Sequence, residues 1–264
     1  VAGYFYPAEK DKLQKDISSL LQSAKTEKSF NKIFGIVSPH AGYIYSGKTA
    51  AYVYNLLKDK FYKTVIVISP SHAEYFPGIS IYDGDAYETP LGIVEIDQVM
   101  TDKLVEDSKI IFRGIQGHRK EHALEVQIPF LQSVLNDFKI VPIVMGDQSK
   151  MFVDELAERI AKVVNDETLV VASSDMSHFY DAEEADRLDS VVEKRIIDFD
   201  FEQLLKDLDD KECEACGGGI IAVMMKAASL KNITKSVVLN RSDSGDVTGD
   251  KSEVVGYLSA VVYS

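Results

Sequence analysis

The sequence predicts one α/β domain, 1–264, in which helices cover both faces of a central, largely parallel or mixed β-sheet. The first observation is that short apolar runs typical of strands alternate along the chain with amphipathic segments of helical spacing. The second is that the run 65–68 contains only Val and Ile, as expected for a strand buried on both faces. The third is that no Pro- or Ser-rich linker and no change of composition divides the 264 residues.

The period of the apolar residues predicts each element. Leu13, Ile17 and Leu21 recur at helical spacing, whereas 140–144 is a short apolar run of the kind that forms strands. Pro142 predicts that this strand is an edge or irregular strand, because proline has no N–H to donate. In chain order the predicted elements are helix 8–25, strand 33–37, helix 47–57, strand 65–68, helix 102–106, helix 122–134, strand 140–144, helix 151–165, strand 169–172, helices 182–198 and 201–208, a helix from the glycines 217–219 to 230, and strands 237–239 and 254–263.

The charge and the cysteine count exclude several classes of partner. The net charge of −13 repels phosphate backbones, so we expect no binding to nucleic acid or to anionic membranes. No apolar run reaches the length of a membrane-spanning helix, and no basic-then-apolar leader opens the chain. Two cysteines are too few for a disulfide framework, so we predict a protein of the reducing cytoplasm.

Histidines follow three of the predicted strands. His40, His72 and His178 are three of only five histidines in the chain, and each comes shortly after a strand. In open α/β sheets, ligand sites form outside the carboxyl ends of the strands. Neutral imidazole binds zinc, iron or copper. We therefore predict that His40 and His72 belong to a metal or catalytic site, although any single histidine can also be hydrogen bonded without such a role.

Asp175 and His178 place a carboxylate and an imidazole three residues apart. On a turn or a first helical turn, both side chains can face one pocket. The pair can ligate a metal, or His178 can act as an acid/base that Asp175 orients. The alternative is a capping aspartate beside a buried histidine.

Cys213 and Cys216 form a single CxxC motif. Such a motif supplies only half of a four-cysteine zinc site, and the chain has no second pair. Three glycines and a predicted helix follow Cys216. Because a helix N-terminus stabilises a thiolate, Cys216 is predicted to be a soft metal ligand or a reactive thiol. An inert, buried role fits Cys213 better.

Other polar segments are weaker candidates. His122 and Glu125 lie on one face of a predicted helix, but they do not form the HExxH zinc signature. Tyr43, close to His40, can line a pocket or pack in the core. His118 is predicted to lie in a loop. The acidic segment 243–250 lacks the spacing of an EF-hand and is interpreted as a turn.

Taken together, motifs along the whole chain resemble the Memo family. The segments that carry this resemblance are Val1–Pro7, Pro39–Tyr43, Glu88–Gly92, Glu121–Gln127, Ser173–His178, Ala215–Gly217 and Ser244–Asp250.

The resemblance implies a fold similar to class III non-heme iron extradiol dioxygenases, which hold Fe(II) with two histidines and a glutamate. His40 and His72 match the two histidines, and Cys216 takes the position of the glutamate. Asp175 and His178 match further pocket residues, with His178 similar to the acid/base histidine of the dioxygenases. The implied metal is Fe(II), with copper or zinc as alternatives.

The resemblance also implies a function in metal-dependent redox chemistry. We therefore expect a metal-dependent redox or dioxygenase-like enzyme that acts on a small molecule. The alternative is a binding module that holds an anionic ligand or a phosphopeptide, since a eukaryotic relative has been described as binding a phosphotyrosine peptide. Many prokaryotic relatives occur in a set with a radical-SAM protein, which implies a shared pathway.

Overall fold

A nine-stranded mixed sheet forms the centre of the computed structural model, which describes residues 1–264. The strands of this sheet are β1 (Ile33–Ser38), β2 (Thr64–Pro70), β3 (Ile79–Tyr82), β6 (Ile111–Gly114), β7 (Lys139–Met145), β8 (Thr168–Ser173), β9 (His178–Tyr180), β10 (Lys235–Asp243) and β11 (Val254–Tyr263). Two further strands, β4 (Ala86–Thr89) and β5 (Gly92–Glu95), pair with each other as a hairpin.

The sheet has the order β10-β11-β1-β8-β2-β7-β3-β6, and β9 pairs with β11. Strands β1, β8, β2 and β7 are parallel neighbours, whereas β11 and β3 run antiparallel to β1 and β7. The predicted mixed sheet is therefore confirmed. The four parallel strands direct their carboxyl ends to one edge, where the candidate site lies.

Nine helices surround the sheet. They are α1 (Lys10–Ser23), α2 (Tyr43–Asn55), α3 (Gln98–Val105), α4 (Ile128–Val134), α5 (Lys150–Val163), α6 (Ala182–Ile197), α7 (Phe201–Asp209), α8 (Gly218–Leu230) and α9 (Gly245–Thr248). None of these helices combines the length and the hydropathy that crossing a membrane requires.

Two hydrophobic cores lie on opposite faces of the sheet, because successive side chains of a strand point in opposite directions. Val65 and Val67 pack with residues of α1, α2 and α4. Ile66 and Ile68 pack with residues of α5, α7 and α8. This arrangement explains why the middle residues of the central strands are apolar, with polar residues at the strand ends.

Two sequence-based expectations about the fold are wrong: the edge position of one strand, which was one of two alternatives, and the start of one helix. The strand with Pro142 is not an edge strand, since β7 lies between β2 and β3. The proline is tolerated because β3 pairs only with Ile143–Met145, so Pro142 lies just outside that ladder. The predicted helix 122–134 begins later: a 3-10 turn at Glu125–Gln127 precedes α4. The predicted similarity of fold to class III dioxygenases stays a prediction.

Candidate metal centre

Three histidine side chains converge at the carboxyl edge of the sheet. The ring centroids of His40 and His72 are 5.1 Å apart, those of His40 and His122 are 5.4 Å apart, and those of His72 and His122 are 4.9 Å apart. One ring nitrogen from each lies within 4.8 Å of the others. This spacing allows the three imidazoles to approach a single cation.

The order of the strands brings the histidines together. His40 follows β1 and His72 follows β2, and β8 lies between these strands. His122 lies in the loop before the 3-10 turn, 50 positions after His72. His122 was predicted to line the pocket and to begin a helix. It does lie beside the other two histidines, but no helix begins there.

Glu121 organises two of the histidines. Its Oε2 accepts the backbone N–H of His72 at 2.7 Å, and its Oε1 lies 2.9 Å from His72 Nδ1. The same Oε1 accepts the backbone N–H groups of His122 and Ala123 at 2.9 and 2.8 Å. Burial raises the pKa of Glu121, but these hydrogen bonds outweigh burial and lower it to about 2. Glu121 is therefore a buried carboxylate, and sequence analysis did not identify its role.

His40 is almost fully buried and is bonded at three points. Its backbone N–H donates to Asp175 Oδ1 at 2.7 Å, and its Nδ1 lies 2.9 Å from Ser173 Oγ. Its Nε2 lies 3.3 Å from the sulfur of Cys216. The predicted metal ligands His40 and Cys216 are thus in direct contact, although they are 176 positions apart.

Burial lowers the pKa of all three imidazoles, but the net shift differs because of their neighbours. Desolvation, reinforced by His72 and His122, holds the pKa of His40 well below its usual value. Burial also lowers the pKa of His72, but the hydrogen bond and charge of Glu121 outweigh it and raise that pKa. Burial lowers the pKa of His122. His40 is consequently neutral at pH 7, which is the form that binds metals.

The Cys216 thiol is not activated by the helix that follows it. Burial and then the charge of Asp175 raise its pKa far above the usual range, and the role of Cys216 as a metal ligand or reactive thiol stays a prediction. Cys216 lies two residues before Gly218, the first residue of α8. Its sulfur accepts a hydrogen bond from the backbone N–H of Asp175 at 3.2 Å. A cation beside the sulfur would reverse this preference and favour the thiolate.

Cys213 lies away from this contact and belongs to the hydrophobic core. Burial and the charge of Asp207 raise the pKa of its thiol to about 11. The inert role predicted for Cys213 agrees with this position.

Asp175 and His178 share the neighbourhood of the site but are not hydrogen bonded to each other. Asp175 is buried and holds the backbone of His40, and burial raises its pKa to about 6. His178 begins β9, and the carboxylate within 4 Å of its ring belongs to Glu214, at 3.8 Å. No hydrogen bond joins the two side chains, and the prediction that Asp175 orients His178 stays a prediction.

Tyr43 packs in the core rather than in the histidine pocket. It is buried, and its hydroxyl donates to the carbonyl of Val126 at 2.7 Å. The aromatic residue at the pocket is instead Phe5, whose ring stacks on His122 with centroids 4.3 Å apart. The only sequence signal for Phe5 is its place in the motif Val1–Pro7.

Two further candidates lie outside the site. His118 is largely buried between the hydroxyl of Tyr87 and the carbonyl of Ser80, and burial lowers its pKa to about 4. Two carboxylates of the acidic segment 243–250, those of Asp243 and Asp246, form ion pairs with the following Lys251 at 2.7 and 2.6 Å. The segment contains the one-turn helix α9, consistent with its interpretation as a turn.

The donor set fits a transition metal. Imidazole suits zinc, copper and iron, whereas a soft thiolate favours copper, zinc and iron over magnesium or calcium. His72 directs Nδ1 at Glu121, and ligating histidines commonly have such a carboxylate partner at the other ring nitrogen. The ring nitrogens of His40, His72 and His122 lie close enough to share such an ion, and Cys216, in contact with His40, is a further candidate donor.

Comparisons with known proteins give one consistent result. A family model described as "Memo-like protein" matches residues 1–261. The chain is similar to a MEMO1 family protein of Thermoplasma volcanium, with 39% identity over 99% of this chain and 96% of the relative. It is also similar to MEMO1 family proteins of Archaeoglobus fulgidus, with 39% identity over 99% of this chain and 97% of the relative, and of Nitrosopumilus maritimus, with 36% identity over 97% and 96%.

Proposed function

The chain belongs to the Memo family, and on this premise we propose that it is a metal-dependent redox enzyme acting on a small molecule. The observation that carries the proposal is the contact between His40 Nε2 and the Cys216 sulfur, at 3.3 Å, beside two further imidazoles. His40 is buried, whereas His72 and His122 are partly reached by solvent, so a metal ion could enter the cluster.

His40, His72 and Cys216 are the proposed ligands, and His122 is a further candidate. Fe(II) is the preferred metal by resemblance to the dioxygenases, with copper or zinc as alternatives. When bound, iron or copper would supply Lewis acidity and a redox couple, whereas zinc would supply Lewis acidity alone. Where the dioxygenases have a glutamate ligand, this chain has a cysteine, which is a softer donor. Its site should therefore prefer copper more than the dioxygenase sites do.

The other residues of the pocket have distinct proposed roles. His178 is partly exposed at the start of β9, so it can exchange a proton with a substrate and with water. Glu121 holds His72, and Asp175 holds the backbone of His40. Phe5 covers one face of His122 and limits the access of water to that ring.

The second candidate is a binding module for an anionic ligand or a phosphopeptide. One observation favours it. Burial lowers the pKa of His72, but Glu121 more than offsets this effect, so the imidazole takes up a proton, and with it a positive charge, more readily than a free histidine. Against it, the buried carboxylate of Glu121 beside the ring largely offsets that charge. The metal-binding role is therefore preferred.

Metal content and oxygen uptake test the proposal. The protein is purified without oxygen and analysed for iron, copper and zinc, and oxygen consumption is then followed with a series of catechols. Retained metal and metal-dependent consumption support the enzyme. A protein that takes up none of the three metals, yet binds a phosphotyrosine peptide in the presence of a chelator, would support the binding module instead.

A further inference from the structure

The hydroxyl of Ser173 lies behind His40, on the side away from Cys216, and is fully buried. Three groups surround Ser173 Oγ: His40 Nδ1 at 2.9 Å, the carbonyl of Ala123 at 2.7 Å and Gln127 Nε2 at 2.8 Å. These partners lie 133, 50 and 46 positions away along the chain. The hydroxyl therefore joins the end of β8 to the residues after β1 and to the segment at the 3-10 turn.

The hydrogen-bonding capacity of a hydroxyl determines the role of each partner. A serine hydroxyl has one hydrogen to donate and two lone pairs that accept. The carbonyl of Ala123 can only accept, so it takes the single hydrogen of Ser173. The two lone pairs of the hydroxyl then remain for Gln127 and His40.

Gln127 must present its amide nitrogen to Ser173. That nitrogen also lies 3.1 Å from the carbonyl of Pro39, which can only accept a hydrogen bond. The amide oxygen of Gln127 accepts the hydroxyl of Tyr54 at 2.6 Å. The orientation of the amide is therefore set by its neighbours, and one N–H is directed at the Ser173 oxygen.

We propose that Ser173, held in place by Gln127, keeps His40 in the tautomer that carries its hydrogen on Nδ1. In this tautomer Nδ1 donates to the remaining lone pair of Ser173, and Nε2 presents its own lone pair toward Cys216. Ser173 and Gln127 are thus positioning residues of the metal centre, and they act through His40. The consequence for metal binding rests on the proposed function, whereas the tautomer itself does not.

Other buried serines in the sheet show that this arrangement is particular to Ser173. The hydroxyls of Ser69, near the end of β2, and of Ser80, in β3, are buried and have no hydrogen-bond partner. Ser69 lies at the same edge of the sheet as Ser173, in a neighbouring strand. It is therefore a matched control: Ser69→Ala removes a buried hydroxyl without removing a hydrogen bond.

The tautomer is measured directly in the metal-free protein. Long-range proton–nitrogen NMR correlations distinguish a protonated ring nitrogen from an unprotonated one, and the His40 signals are assigned by their loss in His40→Gln. We expect Nδ1 protonated and Nε2 unprotonated near pH 8. A wild-type His40 with its hydrogen on Nε2 would overturn the proposal, whether or not the protein binds a metal.

The metal affinity of two serine variants tests the consequence. Removing a hydrogen-bond partner of a metal-ligating histidine typically lowers affinity by about 10–100-fold, and this is the loss expected for Ser173→Ala with iron or copper. Ser69→Ala should retain the wild-type affinity. Equal affinities of Ser173→Ala and wild type, with the His40 tautomer unchanged, would show that Ser173 has no positioning role. Failure of wild type to bind metal would reject the proposed function but leave the NMR result decisive for the tautomer.

Discussion

Glu121 binds His72 through both carboxylate oxygens, one at the backbone N–H and the other at Nδ1 of the ring, at 2.7 and 2.9 Å. The two residues are 49 positions apart, so this contact closes the loop after β2 onto the segment before the 3-10 turn. The Nδ1 of His72 is committed to the carboxylate, which leaves Nε2 of the ring for a ligand.

The first prediction concerns this carboxylate. Glu121→Gln should weaken metal binding by about 10–100-fold, because the amide is neutral and can accept at only one of the two oxygen positions. Isothermal titration with Zn²⁺ or Cu²⁺ measures the change. The control is Glu88→Gln, which alters an exposed carboxylate on β4. Similar losses in both variants would mean that net charge, rather than the contact with His72, governs affinity.

The second prediction separates the two cysteines. Cys216→Ser should abolish tight iron or copper binding, because it removes the sulfur that lies beside His40 Nε2. Cys213→Ser should retain the metal, since that thiol lies in the core, and should affect mainly stability. Metal content after anaerobic reconstitution and desalting is the measurement. Equal loss of metal in the two variants would show that the CxxC motif chelates as a pair.

The third prediction tests the third imidazole. His122→Ala should lower the metal retained per chain, because the His122 ring lies within 5.4 Å of those of His40 and His72. His118→Ala is the matched control, as it removes another largely buried histidine that lies with Tyr87 and Ser80 outside the cluster. Unchanged metal content in His122→Ala would restrict the ligands to His40, His72 and Cys216.

The fourth prediction distinguishes an enzyme from a binding module. His178→Ala and His178→Asn should leave metal content nearly intact and reduce turnover by about 10²–10⁴-fold, because neither side chain exchanges a proton near neutral pH. Metal analysis and oxygen uptake are measured on the same preparations. Loss of metal in His178→Ala would identify this residue as a ligand and would contradict the proposed division of roles.

The fifth prediction concerns the stability of the network behind the site. Tyr54→Phe leaves the buried amide oxygen of Gln127 without its donor, so the free energy of unfolding should fall by about 1–3 kcal/mol. Tyr52→Phe, on the same helix, removes a hydroxyl that has no hydrogen bond in the structure and should change little. Urea denaturation followed by circular dichroism measures both. A neutral Tyr54→Phe would mean that water replaces the lost donor.

The centre of the sheet could be predicted because its information is local. The runs at β1, β2, β7 and β8 are apolar on both faces, which is a requirement of burial between two layers of helices. The short strands β3, β4, β5 and β6 were not predicted. They have four residues each, too few for a periodic pattern, and pairing with neighbours decides their conformation.

Within the site, sequence reasoning reached the residues that directly follow strands. His40 and His72 were identified in this way because parallel strands bring their carboxyl ends to one edge. It placed His122 on a helix, whereas His122 lies in a loop. It left Tyr43 between the pocket and the core, and the structure places it in the core. Glu121, Ser173 and Phe5 lie in segments that carry the family resemblance, but nothing in their immediate sequence shows which side chain they contact.

The sequence by itself determined which segments are buried strands and that two histidines stand at their ends, because both depend on neighbouring residues. Only the tertiary structure decided the partners: Glu121 for His72, Ser173 for the ring of His40, and Asp175 for its backbone. The physical reason is that β8 lies between β1 and β2 in the sheet, while the loop before the 3-10 turn brings Glu121 to the same edge. This order brings together side chains 49 to 135 positions apart, and no spacing along the chain encodes it.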